Sequence, residues 1–284
     1  MNRLSLPHIP RFYRRLTILL VFLLLTAGCV PGTTPTPQPP VSGSTPTTPA
    51  ISSPQAVAAL KKAQEAFNTA VKGDQPTVAV PATSRQKYQE VVGTLKPEVL
   101  AQGNNSLKVS AYALLAFSQW RLGEYAQAVK TGEKGRQLYE TAKLATNPRE
   151  YGMCLMVRGL AGASQTYQEY RHLQTALTKE QAQDFTGRLE QDRRTINSGN
   201  TYWDRQQDVA LYANLWQLAL VDAAVRIWTS GLPPEIAKPE VCRWLGRAEQ
   251  VLTRFPNPPF HWQDLVLKYK TKFEKKKKAE CQGR

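Results

Sequence analysis

Apolar residues after about residue 54 recur at intervals of three and four, which is the spacing of one face of an α-helix. Val57, Leu60, Ala63 and Phe67 show this spacing in the first such segment. The run Thr77–Pro81 is strand-like, but it ends in proline and is therefore predicted to be a loop. The pattern predicts nine helices, at about residues 54–71, 84–95, 107–122, 124–144, 149–173, 179–196, 203–228, 239–255 and 260–277. Short connections favour antiparallel neighbours, so we expect an all-α fold of roughly eight or nine helices.

Glycine and proline set several of the predicted boundaries. Asn197-Ser198-Gly199 is expected to end the sixth helix, and Gly231 with the two prolines that follow is expected to end the seventh. The next helix is predicted to begin at Pro239, because proline is favoured in the first turn of a helix.

The third and fourth predicted helices resemble a tetratricopeptide repeat. The residues that carry the resemblance are Tyr112, Leu115, Ala116, Leu122, Gly123, Tyr125 and Ala128. The resemblance implies a helix–turn–helix unit of about 34 residues that stacks on its neighbours. Gly123 would allow the tight turn, Tyr125 would pack over it, and Ala128 would permit close approach of the paired helix.

Several positions depart from the family pattern. Gln119 stands where an aromatic residue is usual, Gly132 and Gly135 replace a large residue and an alanine, and Glu140 occupies the usual place of proline. The next first helix would begin near Tyr151, 39 residues after Tyr112. A generic antiparallel helical hairpin is therefore the alternative interpretation.

The beginning of the chain has the pattern of a secretory signal. Four arginines precede the uncharged apolar run Leu16–Leu25, and small residues follow it. The sequence Leu25-Thr26-Ala27-Gly28-Cys29 resembles the lipobox of bacterial lipoproteins, which implies that Cys29 becomes lipidated after cleavage. The alternative is a signal anchor with an incidental cysteine, although the run is shorter than the ~20 residues of a membrane span.

The lipoprotein resemblance also implies a location. Val30 follows the cysteine, and in two-membrane bacteria this residue, unlike Asp, is compatible with transfer to the outer membrane, facing the periplasm. The following Pro- and Thr-rich stretch is almost free of large apolar residues, so it is expected to act as a tether. The predicted organisation is a signal peptide at 1–28, a lipidated cysteine and tether at 29–54, a helical domain at 55–267 and a Lys-rich tail at 268–284.

The chain is strongly basic, with a formal net charge of +15. Nucleic acid would be the first partner to consider for a cytoplasmic protein of this charge, but the expected export makes it a poor candidate here. Anionic lipid head groups or an acidic protein surface are the better candidates. The lysines of the tail are either a solvated, fraying helix end or a contact with an anionic surface.

Motifs of catalysis are absent from the sequence. His172 and His261 are the histidines of the expected mature chain, and neither has the spacing of a metal site. No nucleophile elbow or phosphate-binding loop is present, so we expect no enzyme activity, no metal and no cofactor. A carboxylate pair distant in sequence remains an open alternative.

The remaining cysteines and the late aromatic residues have simpler interpretations. Cys154, Cys242 and Cys281 leave one cysteine unpaired, and a bridge between Cys154 and Cys242 is one possibility. Asp222 and Arg226 have the spacing of an ion pair within a helix. Most of the late aromatic residues are expected in the core, namely Trp203, Tyr212, Trp216, Trp228, Trp244 and Trp262.

These observations favour an envelope lipoprotein that binds another envelope protein, as an adaptor or assembly factor. Stacked helix pairs would present a groove to an extended segment or helix of the partner. The expected binding residues are Tyr112, Gln119, Trp120 and Arg121. The alternative is an envelope enzyme or a small-ligand-binding component of a transporter, with a cavity ringed by the late tryptophans. A structural lipoprotein without a dedicated partner is the third hypothesis.

Overall fold

The computed structural model describes residues 52–75, 79–173, 176–203, 208–255 and 262–281, and most of these residues are helical. These residues form ten α-helices and no strand, which confirms the all-α prediction. The helices are α1 (Pro54–Gly73), α2 (Ala82–Thr94), α3 (Pro97–Ala101), α4 (Asn105–Leu122), α5 (Tyr125–Thr141), α6 (Pro148–His172), α7 (Lys179–Asn200), α8 (Asp208–Thr229), α9 (Pro234–Leu252) and α10 (Gln263–Glu280). The signal sequence, Cys29 and nearly all of the tether lie outside the described residues.

Side-chain caps fix the beginnings of three helices. The Ser53 hydroxyl accepts a hydrogen bond from the backbone N–H of Ala56, and the Asn104 amide oxygen accepts one from Leu107. Thr178 begins α7 with a capping box, in which its hydroxyl accepts from the N–H of Gln181 while the Gln181 side chain accepts from the N–H of Thr178. Such caps satisfy backbone donors that have no partner inside the helix.

Consecutive helices pair and the pairs stack. The most extensive contacts are those of α6 with α7, α4 with α5, α5 with α6, α1 with α2 and α8 with α9. The first helices of neighbouring pairs also touch, since α4 contacts α6 and α6 contacts α8. Helix α10 packs on α9 at the end of the series. The described residues therefore form an array of helical hairpins within one compact unit, Thr48–Arg284.

An aromatic cluster joins the first pair of helices to α8. The ring of Phe117 lies 5.1 Å from Phe67, 5.3 Å from Trp120 and 5.6 Å from Tyr212, measured between centroids. Of the late aromatic residues, Tyr212 and three tryptophans are buried in the core, whereas Trp203 and Trp216 are partly buried. The prediction that most of them are core residues is confirmed.

The turn between α4 and α5 depends on Gly123, as the sequence predicted. Gly123 has φ of +89°, in the left-handed region that favours glycine. Its N–H donates to the carbonyl of Trp120 at 3.0 Å, and the N–H of Glu124 donates to the carbonyl of Gln119 at 2.9 Å. This is the hydrogen-bond pattern of a Schellman motif, which ends α4 and reverses the chain.

The predicted end of the sixth helix at Asn197-Ser198-Gly199 is wrong, because α7 continues to Asn200. A Cβ at Gly199 would lie 2.3 Å from the carbonyl oxygen of Gly152 in α6. The glycine therefore permits close packing of two helices instead of ending one. Gly135 has the same role between α5 and α6, where a Cβ would lie 2.4 Å from the sulfur of Cys154.

Two further differences concern proline and helix length. The ninth helix begins at Pro234 and carries Pro239 inside it, whereas the sequence predicted a start at Pro239. Pro239 lies in the second turn of α9, where it lacks the N–H that would bond the carbonyl of residue 235. Helix α3 was not predicted, because its five residues are too few to show a helical period.

A disulfide fastens α10 to α9. Cys242 pairs with Cys281, whose Cα atoms are 5.6 Å apart. The alternative of a Cys154–Cys242 bridge is therefore excluded, and Cys154 is the free cysteine among the described residues. Burial raises the pKa of the Cys154 thiol to about 12, so it stays protonated at neutral pH. Residues 268–280 of the expected tail belong to α10.

Candidate functional site

A groove with a volume of about 730 Å³ opens between α2–α3 on one side and α5 on the other. One face of α4 forms its floor, through Lys108, Tyr112, Leu115 and Gln119 at steps of three and four residues. The walls include Leu95, Pro97 and Leu100 from the α2–α3 region, and Gln127, Thr131, Lys134, Gln137 and Leu138 from α5. The groove is therefore lined by both apolar and polar side chains, and it runs along α4 between the α2–α3 region and α5.

The groove carries positive charge without a balancing carboxylate. Lys96, Lys108 and Lys134 line it, and we call them the groove lysines. No Asp or Glu side chain is among the residues that line this groove. Within the part of the chain that the structure describes, the groove lysines form no ion pair, so their charges remain available to an acidic ligand.

Gln119 adds an unsatisfied hydrogen-bond acceptor to the floor of the groove. The residue is only 8% exposed, and its Oε1 has no hydrogen-bond partner among the described residues. A buried acceptor without a partner costs about 1–3 kcal/mol. A ligand that brings an N–H donor to this position would recover that free energy.

The structure divides the four predicted binding residues into two pairs. Tyr112 and Gln119 line the groove, whereas Trp120 and Arg121 do not. Trp120 is 2% exposed, and its indole N–H donates to the Ser164 hydroxyl of α6 at 3.1 Å. Adjacent residues of a helix point about 100° apart, so Gln119 and Trp120 face different surroundings.

Arg121 belongs to a buried ion pair. Its Nε and Nη2 atoms donate to the two carboxylate oxygens of Asp74, both at 2.6 Å. The hydroxyls of Tyr88 and Tyr212 donate to the Asp74 Oδ2 atom at 2.9 and 3.0 Å. Trp216 adds a ring whose centroid lies 5.7 Å from the guanidinium. This cluster connects the α1–α2 loop, α2, α4 and α8, so its position gives it a structural role.

Burial governs ionisation in this cluster. It raises the pKa of Tyr88, with the neighbouring Tyr212 and Asp74 adding to the effect, and it also raises the pKa of Tyr212. Both phenols therefore remain protonated donors. Burial alone would lower the pKa of Arg121, but the hydrogen bonds and charge of Asp74 reverse this and keep the guanidinium charged.

Sequence reasoning did not identify the groove lysines. Lys108 lies one helical turn before Tyr112, so its place on the same face was accessible from spacing alone. Lys96 precedes α3 and Lys134 lies in α5, and only the packing of three elements brings them to one groove.

A second cavity, of about 320 Å³, lies between α6, α8 and α10. Tyr167, Trp216 and Tyr269 line it together with Arg171 and Arg226. Arg226 pairs with Asp222 at 3.1 Å, which confirms the predicted ion pair within α8. The volume is at the lower end of the range for small-molecule sites, about 300–1,000 Å³. Trp216 is the only late tryptophan that lines this cavity, so the expected ring of tryptophans is not formed there.

No group of three or more potential metal ligands occurs within the described residues. None of the described helices has both the length and the apolar character needed to span a membrane. No family model, curated protein or solved structure matches the chain.

Proposed function

We propose that this protein is a membrane-anchored envelope lipoprotein that acts as a protein-binding adaptor or assembly factor. Its binding surface is the groove floored by α4, and its ligand is an acidic segment of another envelope protein. The single observation that supports this most strongly is a groove of about 730 Å³ whose lining, among the described residues, contains three lysines and no carboxylate.

The size and polarity of the groove fit a peptide segment. Tyr112, Leu115 and Leu138 offer apolar and aromatic contacts, while Gln119 lacks a donor for its buried oxygen. A peptide supplies both a backbone N–H for that oxygen and carboxylates for the groove lysines. Charge complementarity of this kind speeds association and rejects basic competitors.

The anchor in this proposal is Cys29. The support is the resemblance of Leu25–Cys29 to a lipobox after an apolar run, together with the tether composition that follows. Acyl chains hold a protein at a bilayer because each buried methylene contributes about 0.8 kcal/mol. The resemblance favours the outer membrane, with the body in the periplasm.

A second candidate function is the binding of a small ligand in the cavity of about 320 Å³ between α6, α8 and α10. The observation that favours it is the combination of Tyr167, Trp216 and Tyr269 with the exposed Arg171. An aromatic or acyl compound with an anionic group would suit these side chains. The same cavity would serve the enzyme or transporter alternative.

The test is photocrosslinking in the native host from a defined position in the groove. p-Benzoylphenylalanine replaces Tyr112 in one variant of the full chain and Tyr202 in a matched variant. Tyr202 is 40% exposed and does not line the groove. The proposal predicts a discrete crosslinked protein from position 112 and none from position 202. Equal crosslinking from both positions, or none from position 112, would contradict it.

Charge reversal then tests the chemistry of the ligand. The groove lysines are changed together to Glu, and the same change is made at Lys61, Lys179 and Lys238, three exposed lysines of other helices. We expect the crosslink to fall at least tenfold with the first set and to persist with the second. Persistence with both sets would refute an acidic ligand, and a Cys29→Ala variant separates partners met through membrane residence from specific ones.

A further inference from the structure

We infer that one face of α10 is a docking surface for an anionic lipid bilayer, separate from the groove and from the proposed lipid at Cys29. The outward face, as we call it, consists of Leu267, Lys268, Thr271, Lys275 and Lys278. All five residues are exposed. The inference goes beyond the proposed function, because it holds for the folded body whether or not Cys29 carries lipid.

The spacing of these residues places them on one side of the helix. Lys268, Thr271, Lys275 and Lys278 follow one another at steps of three and four residues, and Leu267 adjoins them. The row from Lys268 to Lys278 is about 15 Å long at the rise of an α-helix. Val266 and Phe273 are buried, so the opposite side of α10 packs on the body.

Several contacts hold the helix in this orientation. The Cys242–Cys281 disulfide fixes its end to α9. Lys277 pairs with Glu249 of α9, and Lys272 pairs with Asp222 of α8, each at 2.5 Å. The expectation of a fraying helix end therefore does not describe this segment. A cationic row on a fixed helix binds an anionic surface without first losing the conformational entropy of a disordered tail.

The lysines of the outward face have no ion-pair partners in the part of the chain that the structure describes. Lys268, Lys275 and Lys278 form no ion pair within the described residues, whereas the lysines that do pair with other helices lie toward the body. Asp264, four residues before Lys268, and Glu274 are exposed acidic residues of α10. After them, Lys276 pairs with Glu280 and Lys277 with Glu249, while Lys275 and Lys278 stay unpaired among the described residues. The face is therefore electropositive toward its C-terminal end.

Leu267 distinguishes a bilayer from other polyanions. It is 60% exposed and stands beside Lys268, at one end of the basic row. Interfacial helices combine cationic side chains at the level of the head groups with an apolar side chain at the acyl boundary. A simple acidic polymer in water would use the lysines but would gain nothing from the leucine. The combination therefore fits a surface with an apolar layer directly beneath its anionic groups, which an anionic phospholipid bilayer provides.

The test uses the body from Thr48 to Arg284, which includes every described residue and forms one compact unit. Co-sedimentation is measured with vesicles of phosphatidylcholine alone and with vesicles that contain 30% phosphatidylglycerol. The triple variant Lys268→Gln, Lys275→Gln, Lys278→Gln is compared with a control triple, Lys61→Gln, Lys179→Gln, Lys238→Gln, which has the same net charge. Unchanged circular dichroism and melting temperature establish that the variants are folded.

We expect binding to the anionic vesicles only, weakened by salt. Because each basic side chain near an anionic surface contributes about fivefold, the triple variant should bind roughly 100-fold more weakly and the control triple much less so. Leu267→Ser should weaken vesicle binding about tenfold and leave binding to polyglutamate unchanged.

Three results would overturn the inference. Equal losses in the two triple variants would mean that total charge, not the outward face, attracts the protein to the vesicles. Equal binding to neutral and anionic vesicles would remove the electrostatic basis. Binding to polyglutamate without binding to anionic vesicles would identify an acidic protein as the partner of this face.

Discussion

Replacement of Arg121 by methionine should destabilise the fold strongly, although methionine keeps a long apolar side chain at this position. The change leaves the Asp74 carboxylate without its cation while the two tyrosine hydroxyls still donate to it. The Asp74 side chain is completely inaccessible, and the Arg121 side chain is 5% exposed. Water therefore cannot replace the lost guanidinium without opening the core.

The magnitude follows from the geometry of the pair. Removing one partner of a buried ion pair costs about 3–5 kcal/mol, because the remaining charge is buried and uncompensated. The guanidinium also lies 5.4 Å from the Trp120 ring and 5.8 Å from the Tyr212 ring, and each such contact contributes about 0.5–2 kcal/mol. We expect Arg121→Met to lower the free energy of unfolding by about 4 kcal/mol.

Urea denaturation of the body at pH 7.5 and 25 °C, followed by circular dichroism, measures this loss. A double-mutant cycle with Asp74→Asn isolates the pair, since asparagine keeps an acceptor for the tyrosines but carries no charge. The decrease in the free energy of unfolding for the double variant should be smaller, by at least about 2 kcal/mol, than the sum of the decreases for the two single variants. If Arg121→Met lowers the free energy of unfolding by less than about 1 kcal/mol, the value is that of an exposed ion pair, and the assignment of a buried pair is wrong.

Three further predictions concern a turn, a buried carboxyl and the disulfide. Gly123→Val should lower the free energy of unfolding by roughly 1–3 kcal/mol because residue 123 has a positive φ, whereas Gly246→Ala inside α9 should raise it by about 1 kcal/mol. Urea denaturation measures both changes. Neither position has an atom within 4 Å of the new Cβ, so equal effects of the two substitutions would contradict the backbone argument. Burial raises the pKa of Asp192 to about 7 although two nearby arginines oppose it, so the folded state keeps a proton that the unfolded state releases near pH 4. The free energy of unfolding should therefore fall by at most about 4 kcal/mol as the pH rises from 4 to 7, and a pH series of melts on Asp192→Asn should lack that slope. Cys281→Ser removes the disulfide between residues 39 positions apart, and the chain-entropy model gives a decrease of up to about 4 kcal/mol in the free energy of unfolding. A reductant should lower the free energy of unfolding of the wild type by a similar amount and leave that of the variant unchanged.

Local periodicity made most of the fold predictable. Eighteen to 25 residues of helix, as in α4 and α6, repeat the apolar spacing several times, whereas the five residues of α3 do not complete one repeat. Gly123 and Gly199 illustrate the limit of local rules. The first ends a helix through its positive φ, but the second lies inside α7 because another helix passes close to it. The sequence shows glycine in both places, and only packing distinguishes them.

The site was predictable in part for the same reason. Tyr112 and Gln119 are seven residues apart and share a face of α4, so their joint position follows from helical geometry. Trp120 and Arg121 follow Gln119 directly, and the same geometry turns them toward the core. Lys96 and Lys134 come from other elements, so their approach to the groove depends on tertiary packing. The Cys242–Cys281 pairing likewise depends on a distance between two helices that no spacing rule provides.

The hydrogen bonds at the start of α1 fix where the body meets the preceding segment. The Ser53 N–H donates to the Gln102 carbonyl, and the backbone N–H of Asn104 donates to the Ser52 hydroxyl. From this fixed point, the 22 residues between Cys29 and Ser52 can span at most about 80 Å, since an extended chain covers no more than about 3.6 Å per residue. That reach exceeds twice the ~38 Å length of α6. If Cys29 carries lipid, as proposed, this length would allow α10 to reach the same bilayer, and the second contact would be an intramolecular event governed by effective concentration instead of bulk affinity.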